Sequence, residues 1–266
     1  MFINKILDAL DSLSKPQHKF LAVLFNTILV CQSRINFSSL ARPAGLNERT
    51  FRRNFRKAVD FTGINLQIIK QATGQIEAFA MDAAFIKKSG KKTFGIDKFW
   101  NGCSGRAEKG LEASIISLVD AKQNASFALT VDQTEPNLQP KELDGETRTR
   151  MDFYGEQLEQ VAPTILEYTN KGLFDGFYAK KKFVDKNIEL GFVMISKLRK
   201  DADLKYLYEG EQKPVGRARE YDAKVYYDDL SRFASEQIEI EDKQIKLYSG
   251  VVWSVSLKRA HQTCRG

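Results

Sequence analysis

Cysteine and histidine are scarce in this chain of 266 residues, and their scarcity excludes several kinds of site. The three cysteines, Cys31, Cys103 and Cys264, lack the close spacing of a zinc site, and an odd number cannot all pair as disulfides within one chain. This usage is typical of a reducing cytoplasm. The two histidines, His18 and His261, are isolated in the sequence, so we predict no catalytic histidine.

The sequence also lacks long apolar runs, internal repeats and low-complexity segments. Its longest apolar run, residues 20–31, contains Asn26 and Thr27 and is too short to span a bilayer. The first residues do not have the basic, apolar and small-residue pattern of a secretory signal. We therefore expect no membrane association.

Positive charge is unevenly distributed along the chain. Residues 1–75 hold eleven lysines and arginines against four acidic residues, whereas residues 76–266 hold thirty of each kind. The net charge of +7 therefore belongs to the N-terminal segment. A compact basic module beside a neutral body predicts a DNA-binding head, with an acidic lipid surface as the alternative.

A helix-turn-helix is the motif predicted for this head. Residues 18–34 are apolar on most sides and predict a core helix. A short second helix is expected to begin at Ser38 or Ser39 and to break at residues 43–45, and Asn47 is a suitable N-cap for a third helix. In such a motif the last helix enters the major groove of DNA.

The third helix is predicted to be amphipathic and basic. Phe51, Phe55 and Val59 recur every four residues and predict one apolar stripe. The basic side chains lie mostly off that stripe, and we predict that they contact DNA: Arg49, Arg52, Arg53, Arg56 and Lys57. The alternative is a solvated basic surface without a ligand.

From Gln75 onward the sequence becomes rich in predicted strands. Residues 76–86 predict a strand that packs into a core, and residues 93–100 alternate between apolar and polar side chains. Residues 112–134 predict two strands joined by a polar turn at residues 122–124. Together they predict an antiparallel meander of about three strands.

Helices and further strands follow the predicted meander. Residues 152–172 predict a helix that is interrupted at Pro163 and closed at Gly172, and residues 172–199 predict a strand, a helix and another strand. A ribonuclease H-like fold has this order of elements: several strands first, and then a helix, a strand, a helix and a strand. We therefore predict a mixed α/β class with a ribonuclease H-like core.

Two aspartates occupy informative positions in that fold. Asp82 lies in the middle of the first strand and Asp175 at the end of the fourth, and the ends of these strands are adjacent in the fold. Neighbouring carboxylates repel each other unless a cation lies between them, and oxygen ligands suit Mg²⁺ or Mn²⁺. The alternatives are a turn role for Asp175 and a charge pair of Asp82 with a nearby basic residue, namely Lys87, Lys88 or Arg106.

Four segments of the chain resemble DDE transposases of bacterial insertion sequences. They are MDAAFIKKSGKKTFGIDKFWNG, KGLEASIISLVD, FDGFYAKKKFV and ISKLRKDADLKYLYEG, and they occur in this order. The resemblance implies a polynucleotidyl transferase that cleaves and transfers DNA strands with Mg²⁺ or Mn²⁺, and it implies that Asp82 and Asp175 are catalytic metal ligands. It also implies double-stranded element ends as the partner, a homodimer in synapsis, and a bacterial cytoplasmic, nucleoid-associated location.

Other side chains near these segments are candidates for DNA contacts or for the core. Lys180, Lys181 and Lys182 are predicted to hold the DNA backbone, unless they form a solvated charged surface. Arg148 and Arg150 are secondary candidates. Trp100 is predicted to lie in the core and not to form a base-stacking platform.

The C-terminal segment is predicted to begin a β-rich insertion, as in one branch of the family. Residues 259–266 show no strand or helix pattern, and the family's third acid, a glutamate on a helix, has no match. The sequence therefore predicts a truncated chain with impaired catalysis, and the alternative function is a non-catalytic DNA-binding repressor of transposition. Four late acids lie in a stretch that predicts strand: Glu236, Glu239, Glu241 and Asp242.

The predicted organisation has three parts. Residues 1–74 form the DNA-binding head, residues 75–204 form the ribonuclease H-like core, and residues 205–266 form the start of the insertion. The basic head and the two aspartates are thus expected to lie in different domains.

Overall fold

The computed structural model describes residues 2–72, 74–138, 147–198, 202–240 and 243–265. The chain folds into two compact units. The first comprises Met1–Asn137 and Gln160–Asn170, and the second comprises Leu138–Glu159 and Lys171–Gly266.

Residues 2–72 of the first unit form a helical head. Its helices are α1 (Phe2–Asp8), α2 (Lys15–Val30), α3 (Phe37–Ala44), α4 (Glu48–Asn54) and α5 (Phe61–Ala72). All of them contribute to one apolar core, whose buried side chains include Ile6, Leu21, Leu40, Phe51 and Ile64. The predicted core helix is confirmed as α2, although it begins and ends earlier than expected.

Helices α3 and α4 follow each other closely along the chain, with only residues 45–47 between them. Asn36 caps α3 by accepting a hydrogen bond from the N–H of Ser39 at 2.9 Å, so the helix begins just before the expected serines. Gly45 ends α3 in the left-handed conformation with φ of 62°, which glycine adopts without steric cost. Asn47 then caps α4, as predicted, by accepting the N–H of Arg49 at 2.9 Å.

The apolar stripe predicted for the third helix is wrong beyond Asn54. Helix α4 ends at Asn54, so Phe55 is its C-cap residue and Val59 lies past the helix. Phe51 is fully buried, whereas Phe55 is 53% exposed. Asn54 donates a side-chain hydrogen bond to the carbonyl of Thr50 at 2.9 Å, and such bonds compete with continuation of a helix.

An antiparallel sheet follows in the first unit. Its strands are β1 (Ala78–Lys87), β2 (Asp97–Asn101), β3 (Arg106–Asp120) and β4 (Ala125–Gln133). Strand β1 pairs with β3, and both β2 and β4 pair with β3 over different parts of its length. The predicted antiparallel strands and the polar turn between β3 and β4 are confirmed, although the sheet is not a simple meander because β1 pairs with β3 and not with β2.

The two faces of this sheet differ in exposure because successive side chains of a strand point to opposite sides. Phe79 and Met81 of β1 and Ile116 and Leu118 of β3 are buried on one side. The other side is half-buried or exposed from Asp82 and its partner Ile115 to β2, and we call this part the open face. The open face consists of Asp82, Ala84 and Ile86 of β1, Lys98 and Trp100 of β2, and Ala107, Lys109, Leu111, Ala113 and Ile115 of β3.

Helices and parallel strands come next along the chain. They are α6 (Arg150–Leu166), β5 (Lys171–Phe174), α7 (Lys181–Glu189) and β6 (Val193–Ser196), and β5 pairs with β6 in parallel. Two predicted boundaries are wrong, because Pro163 lies inside α6 and Gly172 lies in β5. Proline removes one hydrogen bond from the last turn of α6, but the fully buried Ile165 holds that turn in place.

The remainder of the second unit is a second sheet. Its strands are β7 (Leu204–Leu207), β8 (Tyr221–Lys224), β9 (Ala234–Ile240), β10 (Lys243–Ser254) and β11 (Arg259–Arg265), in the order β11-β10-β7-β8, and β9 also pairs with β10. The β-rich character predicted for this segment is confirmed. The expectation that residues after Lys258 lack structure is wrong, since Lys258 turns with φ of 54° and β11 then pairs along β10.

The chain is therefore mixed α/β, as predicted. Residues 78–196 contain antiparallel strands followed by a helix, a strand, a helix and a strand, which is the order expected from the sequence. Among the residues that the structure describes, no helix combines the length and the apolar character needed to cross a membrane.

Candidate functional site

Asp82 lies in the middle of β1 on the open face. Its side chain is exposed, and Oδ1 accepts a hydrogen bond from the N–H of Ala83 at 2.8 Å. Asp82 is exposed although its strand was predicted to pack into a core, because it follows the buried Met81 and alternation turns it outward. On β3 it pairs with Ile115, whose side chain offers no hydrogen-bond donor.

Asp82 has no basic partner among the described residues. The charge pair considered with Lys87, Lys88 or Arg106 is not formed. Arg106 instead binds Glu108, with Nε 2.9 Å from Oε1. Hydrogen bonds from Asn101 and then from Arg106 hold the pKa of Glu108 below its usual value.

Asp175 directly follows β5 and shapes a turn. Its Oδ1 accepts the N–H of Phe177 at 2.8 Å, and its carbonyl accepts the N–H of Tyr178 at 3.2 Å and the hydroxyl of Ser196 at 3.0 Å. These are the bonds of a turn aspartate, so the structural role considered for this residue is observed. The side chain is exposed, and its second carboxylate oxygen has no partner in the described part of the chain.

Lys180 and Lys181 lie at the start of α7, as predicted. Lys180 is the N-cap residue, and its ammonium nitrogen lies 4.2 Å from the centroid of the Phe177 ring. Lys181 pairs with Asp185, which also binds Arg259 of β11. The hydrogen bond from Lys181 is the largest cause of the lowered pKa of Asp185. A phosphate group that approaches Lys181 therefore competes with a carboxylate.

Lys182 binds Asp152 of α6, with 2.7 Å between its ammonium nitrogen and Oδ1. Asp152 also accepts hydrogen bonds from the N–H and the hydroxyl of Thr149, both at 2.8 Å. Burial alone would raise the pKa of Asp152, but the hydrogen bonds from Lys182 and Thr149 outweigh it and the pKa is lowered. Lys182 thus joins α7 to α6, a structural role that the sequence did not predict.

The basic side chains of the head are exposed on and just after α4. Arg52 is already paired, because its guanidinium lies 2.5 Å from Glu48 and 5.2 Å from the centroid of the Phe37 ring. Hydrogen bonds from Ser38 and then from Arg52 lower the pKa of Glu48. The other candidates have no acidic partner within residues 2–72 or elsewhere in the described chain: Arg49, Arg53, Arg56 and Lys57.

The late acids add no group of metal ligands in the part of the chain that the structure describes. Glu236 and Glu239 lie on β9, as predicted, whereas Glu241 and Asp242 lie outside the described residues. Among the described residues, no three or more histidine, cysteine or acidic side chains form a group that could hold a metal ion. Any metal ligation by Asp82 or Asp175 therefore remains a prediction from the resemblance.

The donor chemistry of the two aspartates nevertheless fits a divalent ion. Asp82 and Asp175 are exposed, and each uses only one carboxylate oxygen in hydrogen bonds within the described chain. Free carboxylate oxygens are the hard ligands that Mg²⁺ and Mn²⁺ prefer.

No family model matches the sequence, and no curated protein matches it. The likeness to DDE transposases thus depends on the four quoted segments and on these two aspartates.

The environment of Trp100 also differs from the prediction. It was expected in the core, but it is 60% exposed on the open face, because its neighbour Phe99 takes the buried side of β2. Two adjacent aromatic residues in one strand point to opposite faces, so only one of them could enter the core. This pairing is the signal that could have identified Trp100 as a surface residue.

Proposed function

We propose that the protein is a DDE-type transposase in which a DNA-binding head is joined to a ribonuclease H-like catalytic core. The observation that carries the proposal is the setting of Asp82. It is the single acidic residue on the open face of β1 and β3, both of which the structure describes in full, and its neighbours there are small or apolar, including Ala84, Ala113 and Ile115. Such a setting leaves room for a DNA backbone to approach the carboxylate.

The order of elements supports the proposed core. Antiparallel strands that carry Asp82 are followed by α6, by β5 with Asp175 at its end, and by α7 and β6. In the proposal both aspartates are ligands of divalent metal. Two ions bound by such carboxylates can activate water or a 3′-hydroxyl and stabilise the leaving oxygen of a phosphodiester.

The head supports double-stranded DNA as the partner. Its two helices joined through Gly45 have the outline of a helix-turn-helix, and Arg49 and Arg53, four residues apart, share one face of the second helix. Arg56 and Lys57 extend the same basic segment beyond the helix end. Side chains without acidic partners can release phosphate counterions when DNA binds.

Metal binding and DNA nicking test the proposal with a matched control. Asp97 of β2 resembles Asp82 locally, since its Oδ1 accepts the N–H of the next residue, Lys98, at 2.7 Å. We expect Asp82→Asn and Asp175→Asn each to abolish Mn²⁺ binding in calorimetry and Mn²⁺-dependent nicking of a supercoiled plasmid. Asp97→Asn should preserve both activities.

Two results would contradict the proposal. Equal Mn²⁺ affinity in the parent and all three asparagine variants would remove Asp82 and Asp175 as metal ligands. Duplex binding without any Mn²⁺ binding or nicking would replace the transposase by the non-catalytic DNA-binding repressor.

A further inference from the structure

Trp100 stands on the open face beside basic side chains of β2 and β3. The pairing of these strands places Lys98 opposite Lys109 and Trp100 opposite Ala107. Residues that are directly opposite in an antiparallel pair point to the same side, about 4.5–5.5 Å apart. Because Ala107 is small, it leaves the indole ring uncovered on that side, in agreement with its 60% exposure.

Lys109 is a basic side chain at this end of the open face, and the strand register places it directly opposite Lys98. Lys109 has no acidic partner in the part of the chain that the structure describes. Its neighbour Glu108 is bound to Arg106 and to Asn101, with Asn101 Nδ2 2.9 Å from Oε2. Lys109 is therefore available to bind an anion.

An open cleft lies next to Lys109. It is formed by residues 87–89 at the end of β1 and residues 106–109 of β3, and its volume is about 530 Å³. Four basic side chains and one glutamate line it. Lys88 lies in the loop after β1 and also has no acidic partner among the described residues. The cleft therefore attracts an anionic ligand.

We infer that this end of the open face binds single-stranded DNA, with Trp100 stacking on an unpaired base and Lys88 and Lys109 contacting phosphates. An aromatic ring beside a basic groove is the combination that binds single strands, because a base whose face is uncovered can stack on the ring. Inside a duplex the base faces are already covered by their neighbours. The inference rests on the proposed function, which makes DNA the polyanion at this sheet.

The distance between this site and Asp82 indicates which part of the DNA the site holds. Asp82 pairs with Ile115, and Lys109 lies six residues earlier on the same strand and on the same face. At about 3.4 Å per residue this is roughly 20 Å along β3. A stacked DNA strand, with one phosphate per about 3.4 Å, covers that length in about six nucleotides. The strand held at Trp100 would thus flank the bond that is cleaved near Asp82.

Tryptophan fluorescence can test stacking directly. The chain has two tryptophans, so Trp253→Phe leaves Trp100 as the sole indole in the protein. In that background an oligothymidylate of about 12 nucleotides should quench the fluorescence, and a blunt duplex of equal length should not. Trp100→Ala should weaken binding of the labelled oligonucleotide about tenfold, measured by anisotropy.

The lysine contact has its own matched control. Lys109→Gln should lower the slope of log affinity against log salt by about 0.7, the value for one phosphate contact of a single strand. Lys122→Gln should leave the slope unchanged, because Lys122 lies in the turn after β3, at the opposite end of that strand. Absence of quenching, equal quenching by the blunt duplex, or equal effects of the two lysine variants would overturn the inference.

Failure of this inference and failure of the proposed function give different results. Mn²⁺ binding and nicking that depend on Asp82, without quenching of Trp100, would overturn the single-strand site alone. Quenching of Trp100 in a protein that binds no Mn²⁺ would overturn the proposed catalytic function alone. The oligonucleotide titrations should therefore be repeated with Asp82→Asn, where we expect quenching to persist.

Discussion

The salt dependence of duplex binding should separate the arginines of the head into two kinds. Arg53 and Arg56 have no acidic partner within the described residues, whereas Arg52 is bound to Glu48 at 2.5 Å. Each unpaired charge that contacts a phosphate contributes about 0.9 to the slope of log affinity against log salt. A rise from about 50 to about 200 mM salt then weakens binding about 3.5-fold for each contact. Two contacts together account for about a 12-fold change.

The loss of affinity between about 50 and about 200 mM salt should therefore be about 12-fold smaller in the double variant Arg53→Gln, Arg56→Gln than in the parent chain. Arg52→Gln should lose less than one full contact, because Glu48 already offsets its charge and competes with phosphate. The measurement is fluorescence anisotropy of a labelled duplex with the full chain over a series of salt concentrations. Slopes that are unchanged in the double variant, or equally reduced by Arg52→Gln alone and by the double variant, would refute this reasoning.

Three further predictions concern the fold. Phe51→Ala should lower the free energy of unfolding by about 3–5 kcal/mol because Phe51 is fully buried, and Phe55→Ala should lower it clearly less because Phe55 is 53% exposed. Amide hydrogen exchange in α2 and α4 measures both losses, and equal losses would favour the apolar stripe predicted from the sequence. Gly45→Ala should lower the free energy of unfolding by about 1–2 kcal/mol in the same measurement, because φ at Gly45 is 62°. Unchanged protection of the amides from exchange would contradict that conformation. The pKa of Asp152 is lowered by Lys182, so its contribution to stability is present above the ordinary carboxyl pKa of about 3.9 and is lost as pH falls through the lowered folded-state value. Urea midpoints of Asp152→Asn should therefore fall below those of the parent at neutral pH and converge with them in strong acid, and a constant difference at all pH values would contradict the pairing.

Local features of the fold were predictable because their causes are local. Asn47 caps α4 with its own side chain, and the turn between β3 and β4 follows from a polar run between two alternating segments. The order of elements through β6 follows from the same periodicities. These features need only a few neighbouring residues, all of which are visible in the sequence.

Features that depend on distant packing were not predictable. Phe55 has the spacing of a core residue, but the helix ends at Asn54, whose side chain donates a hydrogen bond back to the carbonyl of Thr50. Trp100 was assigned to the core because a strand pattern alone does not show which face is covered. Strand β11 has few apolar residues and is held by pairing with β10, so no periodicity signals it. The sequence indicated the candidate residues, whereas their exposure required the structure.

The pairing of β3 restricts how the open face can evolve. Strand β3 has β1 along one edge and β2 and β4 along the other, so its backbone donors and acceptors are largely used within the sheet. Anything that binds the open face must therefore recognise side chains. The exposed side chains of β1, β2 and β3 there point away from the buried side, so selection can retune binding on this surface while the fold that presents Asp82 stays the same.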